Sequence, residues 1–208
     1  GGNLGMTQRG RVEFCLRGGL CNTDFIDNAA GVDCSDHEVN IKILLNKQVA
    51  AGNIDVQERN TLLESMTEDV ASLVLDNNLR QTKSISLAMA RSQQHHSEYQ
   101  RYLSWLEQEG QLDRDLEFLP SDEQLTDRIN RHQPSWTRPE LSVLICYSKV
   151  LLKEALADSD LLSDPWLASA VTNYFPKELV STFGEAVEAH SLANEIAINQ
   201  IVNDLVNR

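Results

Sequence analysis

Residues 137–156, TRPELSVLICYSKVLLKEAL, carry the clearest fold signal in the chain. Thr137 and Glu140 have the T-x-x-E spacing of a capping box, in which each side chain binds the backbone N–H of the other residue where a helix begins. The apolar side chains that follow recur at helical spacing and form one wide face: Leu141, Leu144, Ile145, Tyr147, Val150 and Leu151. The stretch therefore predicts the central core helix of a mainly α-helical protein.

Helical signals continue on the amino-terminal side of this stretch. Ser121 or Asp122 can cap a short helix, and Asp55 can cap another. Thr67 opens a long run that contains neither proline nor glycine, which predicts an extended helix. The apolar stripe of this run is interrupted at residues 76–84, DNNLRQTKS, and we expect a kink or a break there.

The beginning of the chain has a different pattern. Residues 11–17, RVEFCLR, alternate apolar Val12, Phe14 and Leu16 with polar or small neighbours, which is the period of a β-strand. A Gly-Gly pair follows and indicates a turn. Because a lone pair of strands is not stable in water, these residues predict a short α/β remnant that packs on the helices or on a sheet outside this chain.

A helix is predicted to begin at Ser35, in the stretch NTDFIDNAAGVDCSDHEVNIKILLN (residues 22–46). Acidic residues in its first turn would complement the positive end of the helix dipole. The same stretch contains four possible metal ligands, Cys34, Asp36, His37 and Glu38, which raises the alternative of a metal site. Cys34 and His37 have a spacing that puts two ligands on one helix face, but we interpret the row as the polar start of a helix and predict no metal.

Composition and charge exclude several classes of function. The 208 residues have a net charge of −13 and no basic cluster, which argues against a hold on nucleic acid, since that binding depends on lysine and arginine. The longest apolar runs fall far short of the roughly 20 residues that cross a bilayer. We therefore expect no nucleic-acid partner and no membrane association.

Four cysteines without a CxxC pair, and the lack of a signal core, indicate reduced thiols and a cytoplasmic location. The chain opens on GGNLG without a methionine and its last helix has no stop signal. We therefore expect a piece of a longer protein. The opening glycines are not preceded by a strand or followed by a helix, as a dinucleotide phosphate loop would be, so they do not indicate a phosphate cradle.

Several segments, in order, resemble the large-subunit class of bacterial NAD-specific glutamate dehydrogenases. They are GGNLGMTQRGRVEF, the stretch of residues 22–46 quoted above, and the series LPSDEQLTDRI, TRPELSVLICYSKVLL and YFPKELVSTF. The resemblance implies that residues 1–34 end a Rossmann-type NAD-binding domain, that 35–52 form a connecting helix, and that 53–208 form a helical carboxy-terminal domain.

The family's activity is the reversible oxidative deamination of glutamate to 2-oxoglutarate and ammonia, with hydride transfer to NAD. By resemblance, Asn3 and Asn28 would contact the cofactor near its nicotinamide end, and Ser35 would donate to a substrate carboxylate. The family's catalytic residues would lie outside this chain, which is therefore expected to be inactive alone.

The parent is expected to be a homo-oligomer. A second hypothesis assigns the helical part a non-catalytic role as an oligomerisation or regulatory module.

Overall fold

The computed structural model describes residues 5–159, 164 and 168–207, and every regular element within these ranges is an α-helix. The helices are α1 (Gln8–Leu16), α2 (Asp24–Asp27), α3 (Ala29–Ala50), α4 (Val56–Ser65), α5 (Thr67–Ser92), α6 (His96–Gln108), α7 (Asp122–Asn130), α8 (Arg138–Ala157), α9 (Ala168–Tyr174), α10 (Lys177–Glu188) and α11 (Ala193–Val206). The prediction of a mainly α protein is confirmed. The Rossmann remnant is not confirmed, since the described residues contain no strand. No described helix combines the length and the apolar character that crossing a membrane requires.

The described residues divide into two compact units. The first unit contains those within residues 1–29 and 80–150, together with Asn207, and the second contains those within 30–79 and 151–206. The first unit buries apolar side chains of α5, α6 and α8 and fully encloses Trp136, whose Nε1–H donates to the His96 carbonyl at 3.4 Å.

The second unit has its own core. Its buried members come from α3, from the α4–α5 junction and from the carboxy-terminal helices: Ile41, Leu44, Leu45, Met66, Val171, Tyr174, Phe175, Leu179, Val187, Ile196 and Ala197. Burying each of the larger aliphatic side chains stabilises the fold by roughly 1.5 to 3 kcal/mol. This core fixes α3 and therefore the residues that α3 carries.

The strand predicted for residues 11–17 is wrong, because most of that stretch lies in α1. The helix begins after Thr7, whose hydroxyl accepts from the Gly10 N–H at 3.0 Å. Arg11, Val12 and Cys15 are its buried residues, and their spacing is that of a helix face. A helix satisfies its backbone groups locally, whereas a strand needs a neighbour, and none lies in the described part of the chain.

The caps predicted from sequence are largely present. Asp55 and Ser121 each form a complete capping box with the residue three positions on. Glu140 accepts from the Thr137 N–H at 2.8 Å, as the predicted box requires, and also from the Thr137 hydroxyl at 2.7 Å. Local sequence therefore determines where these three helices begin.

The break expected at residues 76–84 is in the wrong place, since α5 runs through them without interruption. The Asn78 side chain donates to the Val74 carbonyl one turn earlier, an interaction compatible with a continuous helix. The chain leaves the helix after Ser92 instead, where the N–H groups of Gln94 and His95 both donate to the Arg91 carbonyl.

Candidate functional site

Asn28 and Ser35 are the two predicted site residues that the structure describes, whereas Asn3 lies outside the described residues. Asn28 is half-buried and follows the last residue of α2, directly before α3. Ser35 is exposed. These positions leave both side chains at the protein surface, where each could contribute a polar group to a ligand.

The helix predicted to begin at Ser35 begins at Ala29, so Ser35 lies well inside α3. Ala29 and Ala30 favour a helix, and the helix continues through Gly31 to Ser35 and beyond. The free N–H groups of a helix end are therefore not at Ser35, and they cannot assist its hydroxyl in binding a substrate carboxylate. A role for Ser35 rests on its hydroxyl alone.

The segment that carries Asn28 is held by a buried arginine of the first unit. Arg11 donates to Asp24 at 2.8 Å, to Asp27 at 3.1 Å and to the Asn22 carbonyl at 3.0 Å. The Asn22 side chain in turn donates to Asp27 at 2.7 Å. Both acidic residues of α2 are thus paired, which fixes the short helix that ends directly before Asn28.

Arg138 extends this network from the first turn of α8. Its Nε donates to the Asn22 side-chain oxygen at 2.9 Å, and its Nη1 donates to the Ser86 hydroxyl at 2.9 Å. The Gln8 side chain contacts the carbonyl of the neighbouring Pro139 at 3.4 Å. The segment before α2 is therefore tied to α8, the helix from which the fold was predicted.

The turns of α3 around Ser35 are fixed in the second unit by Tyr174. Its hydroxyl donates to Asp36 at 2.8 Å and accepts from the Asn40 side chain at 2.9 Å. Burial and the adjacent Asp36 carboxylate raise the pKa of Tyr174 well above its ordinary value. The tyrosine therefore stays a neutral donor and holds one face of α3 in place.

One histidine is buried against this tyrosine and a second against Asn40. The ring of His37 stacks on that of Tyr174 with 4.4 Å between centres, and neither of its nitrogens has a hydrogen-bond partner among the described residues. His190 Nε2 lies 3.0 Å from the Asn40 carbonyl, and its Nδ1 accepts from the Leu192 N–H. Burial lowers the pKa of His37 and of His190, so both rings are neutral near pH 7.

The other residues of the polar row do not converge. Cys34 and Glu38 are exposed, and Glu38 pairs with Lys42 one turn along the helix. Within the described residues no group of three or more histidine, cysteine or acidic side chains could hold a metal ion.

The described residues do not by themselves form a cradle for a dinucleotide. Such a site places its pyrophosphate at a helix that follows a strand, and the described part of the chain has no strand. Two open clefts are lined by described residues, one of about 530 Å³ along α6 and one of about 280 Å³ beside Tyr147, and neither is lined by Asn28 or Ser35.

Arg11, Arg138 and Tyr174 were not predicted as site residues. The i, i+4 spacing of Asp36 and Asn40 is visible in the sequence, but their shared partner Tyr174 lies 138 residues beyond Asp36. Arg11 stands in the stretch that was interpreted as a strand. No signal in a single sequence links such distant partners.

Comparison with known protein families shows which family this sequence matches. Residues 1–88 match the family model described as "Bacterial NAD-glutamate dehydrogenase, catalytic domain", and residues 134–208 match "Glutamate dehydrogenase, C-terminal". The first match covers the resembling segments at residues 1–14 and 22–46, and the second covers those at 137–152 and 174–183. Both describe parts of glutamate dehydrogenases.

Three curated relatives, each named NAD-specific glutamate dehydrogenase, match over the whole chain. The protein of Pseudomonas aeruginosa is 56% identical over 207 residues, that of Halomonas elongata 50%, and that of Mycobacterium tuberculosis 42%. The chain belongs to the bacterial NAD-glutamate dehydrogenase family. It spans 13% of the length of each of these relatives.

Proposed function

We propose that this chain is part of an NAD-dependent glutamate dehydrogenase, which converts glutamate to 2-oxoglutarate and ammonia as NAD takes up hydride. The observation that carries the proposal is the identity of 42–56% to NAD-specific glutamate dehydrogenases along the full chain. The parent would work in the cytoplasm, in amino-acid catabolism. The residues that perform the chemistry would lie outside the chain, which would be inactive alone.

Within that enzyme, Asn28 and Asn3 would contact NAD, and Ser35 would donate a hydrogen bond to a substrate carboxylate. The half-buried position of Asn28 and the exposure of Ser35 support roles as single contacts. The proposed domain boundaries are residues 1–34 for the end of the NAD-binding domain, 35–52 for a connecting helix and 53–208 for the helical carboxy-terminal domain. The chain would orient ligands and would not itself transfer hydride or protons.

A second role, in subunit contacts, is favoured by one exposed feature of α5. Leu75 and Leu79 lie one helical turn apart, and their exposed fractions are 69% and 65%. Exposed apolar side chains on one helix face are typical of surfaces that another protein covers. The parent would be a homo-oligomer, and light scattering on the whole protein that gives the mass of a monomer would contradict this.

The activity proposal is tested by comparing the 208-residue chain with the whole protein from which it comes. Both are assayed for NADH formation with glutamate and NAD, and for NADH consumption with 2-oxoglutarate and ammonia. We expect turnover from the whole protein and none from the chain alone. Turnover by the chain alone would overturn the assignment of catalysis to other regions, and a whole protein without turnover in either direction would overturn the proposed activity.

A further inference from the structure

Two cysteine thiols meet across the Gly18–Gly19 turn. Cys15 lies in the last turn of α1 and is 8% exposed, whereas Cys21 is half-buried in the segment that leads to α2. Their sulfur atoms are 3.6 Å apart, which is van der Waals contact without a bond. A disulfide needs about 2.0 Å between sulfurs, so a shift of under about 2 Å separates the two states.

The turn itself brings the two residues together. The Gly18 N–H donates to the Cys15 carbonyl at 3.0 Å, and the Gly19 N–H donates to the Phe14 carbonyl at 2.9 Å. Gly18 has a φ of +92°, a conformation that side-chain-bearing residues rarely adopt. The chain therefore reverses at the end of α1 and returns residue 21 beside residue 15.

The reduced pair is also well accommodated. The Cys15 thiol points to the Cys21 carbonyl at 3.5 Å, and the Cys21 thiol points to the Arg11 carbonyl at 3.8 Å. Burial and the adjacent Cys15 raise the pKa of Cys21 to about 11. Because the thiolate is the attacking species, Cys21 attacks an oxidant only slowly near neutral pH, and the pair stays reduced until an oxidant is present.

We propose that Cys15 and Cys21 form a reversible intramolecular disulfide when the protein meets a small disulfide oxidant. The thiolate of Cys21, the more exposed of the two, attacks one sulfur of the oxidant, whose S–S bond breaks and releases one small thiolate. The Cys15 thiolate then attacks the Cys21 sulfur, forms the protein disulfide and releases the second small thiolate. Two electrons pass from the cysteines to the oxidant, and the two protons that the cysteines lose are taken up by the leaving thiolates.

The bond would make the turn after α1 covalent. The residue after Cys21 is Asn22, whose backbone and side chain bind Arg11 and Asp27. Oxidation would thus act on the segment that positions α2. The inference stands on the geometry of the two thiols and does not depend on the proposed enzymatic activity.

The test uses the whole folded protein, equilibrated with mixtures of reduced and oxidised glutathione and then alkylated. Cleavage with trypsin and Asp-N separates the cysteines into distinct peptides, with Cys15 in residues 12–17, Cys21 in 18–23 and Cys34 in 33–35. We expect the peptide pair 12–17 and 18–23 to be linked about tenfold more often than any pair that contains Cys34, since contact geometry selects the partner.

The same equilibration in denaturant serves as the reference. The native fold should favour the link by about tenfold over the denatured chain. Cys34→Ser should leave the link unchanged, and Cys15→Ser should abolish it. If both cysteines stay free in the folded protein at a glutathione ratio that links them in the denatured chain, the proposal is overturned.

Discussion

Two surface side chains, Asn28 and Ser35, carry the proposed ligand contacts, and buried partners hold the backbone beneath each of them. Arg11 and Arg138 fix the segment before Asn28, and Tyr174 fixes the turns of α3 that follow Ser35. A hydroxyl binds a ligand carboxylate well only where the backbone of its residue is held in one position. The role of Tyr174 in this arrangement is to position α3, through Asp36 and Asn40.

Ser35→Ala in the whole enzyme tests the residue-scale proposal. Loss of one hydrogen bond to a charged group costs about 1.5 to 3 kcal/mol, so the glutamate KM should rise roughly 10- to 150-fold. The NAD KM should change little. Steady-state kinetics with each substrate varied in turn give both values.

Cys34→Ala is the matched control, because Cys34 is also exposed and precedes Ser35 on the same helix. It should leave both KM values near those of the unsubstituted enzyme. A glutamate KM that does not change in Ser35→Ala would refute the role given to this hydroxyl.

At the scale of single helices, starts that depend on neighbouring residues could be predicted, and features that depend on distant ones could not. The capping boxes at Asp55 and Ser121 are local hydrogen bonds and are complete, and at the start of α8 Glu140 accepts from the Thr137 N–H, which is one half of the predicted box. The strand at residues 11–17 failed because apolar alternation over seven residues does not distinguish a strand from a short helix with one buried face.

The starts and ends of the longer helices show the same limit. Residues 76–84 interrupt the apolar stripe of α5 but not its backbone, because exposed polar side chains are compatible with a helix. The polar row at Ser35 has the pattern of a helix start, yet Ala29 and Ala30 upstream allow α3 to begin earlier. Candidate residues could therefore be predicted from the sequence, but not the buried partners that hold them.

The start of α8 leads to a stability prediction. Glu140 is fully buried and accepts from both Nη atoms of Arg128, at 3.0 and 2.8 Å, as well as from Thr137. Glu140→Gln would leave Arg128 nearly buried without its counter-charge. We expect the free energy of unfolding of the first unit, which contains Glu140, to fall by about 3 kcal/mol, measured by urea denaturation.

Glu68→Gln is the comparison for this change. Glu68 lies in the first turn of α5 as Glu140 lies in that of α8, but its side chain is exposed. Its substitution should change the free energy of unfolding by no more than about 0.5 kcal/mol. Equal effects of the two substitutions would show that the buried ion pair contributes nothing beyond the local charge.

For the whole molecule, the buried histidines predict how stability depends on pH. Burial lowers the pKa of His37 despite the nearby carboxylates of Asp33 and Asp36, whereas in the unfolded chain histidine titrates near about 6.5. As pH falls through that value, the unfolded chain binds a proton that the folded chain does not. Stability therefore falls with acidification, until the folded pKa is reached.

The contribution of His37 is isolated by comparing variants. The free energy of unfolding is measured at pH 7.5 and pH 5.5 for the unsubstituted protein and for His37→Phe, which keeps an aromatic ring. We expect His37→Phe to lose less stability between the two pH values. The comparison cancels the general relief of charge repulsion that acid brings to a chain of net charge −13.

His132→Asn is the control for this measurement, because His132 is exposed and Asn tolerates its positive φ of 57°. It should behave as the unsubstituted protein does. A His37→Phe variant with the same pH dependence as the unsubstituted protein would contradict the assignment of a buried neutral ring.

The enclosure of Trp136 makes the first unit observable by intrinsic fluorescence. Its indole is fully buried, while that of Trp105 is 46% exposed, so the two differ in their contact with water. The ring of Tyr99 lies 6.1 Å from that of Trp136, within range to pass excitation to it. With Trp105 and Trp166 replaced by phenylalanine, the emission of Trp136 would report the packing of this unit without any attached dye.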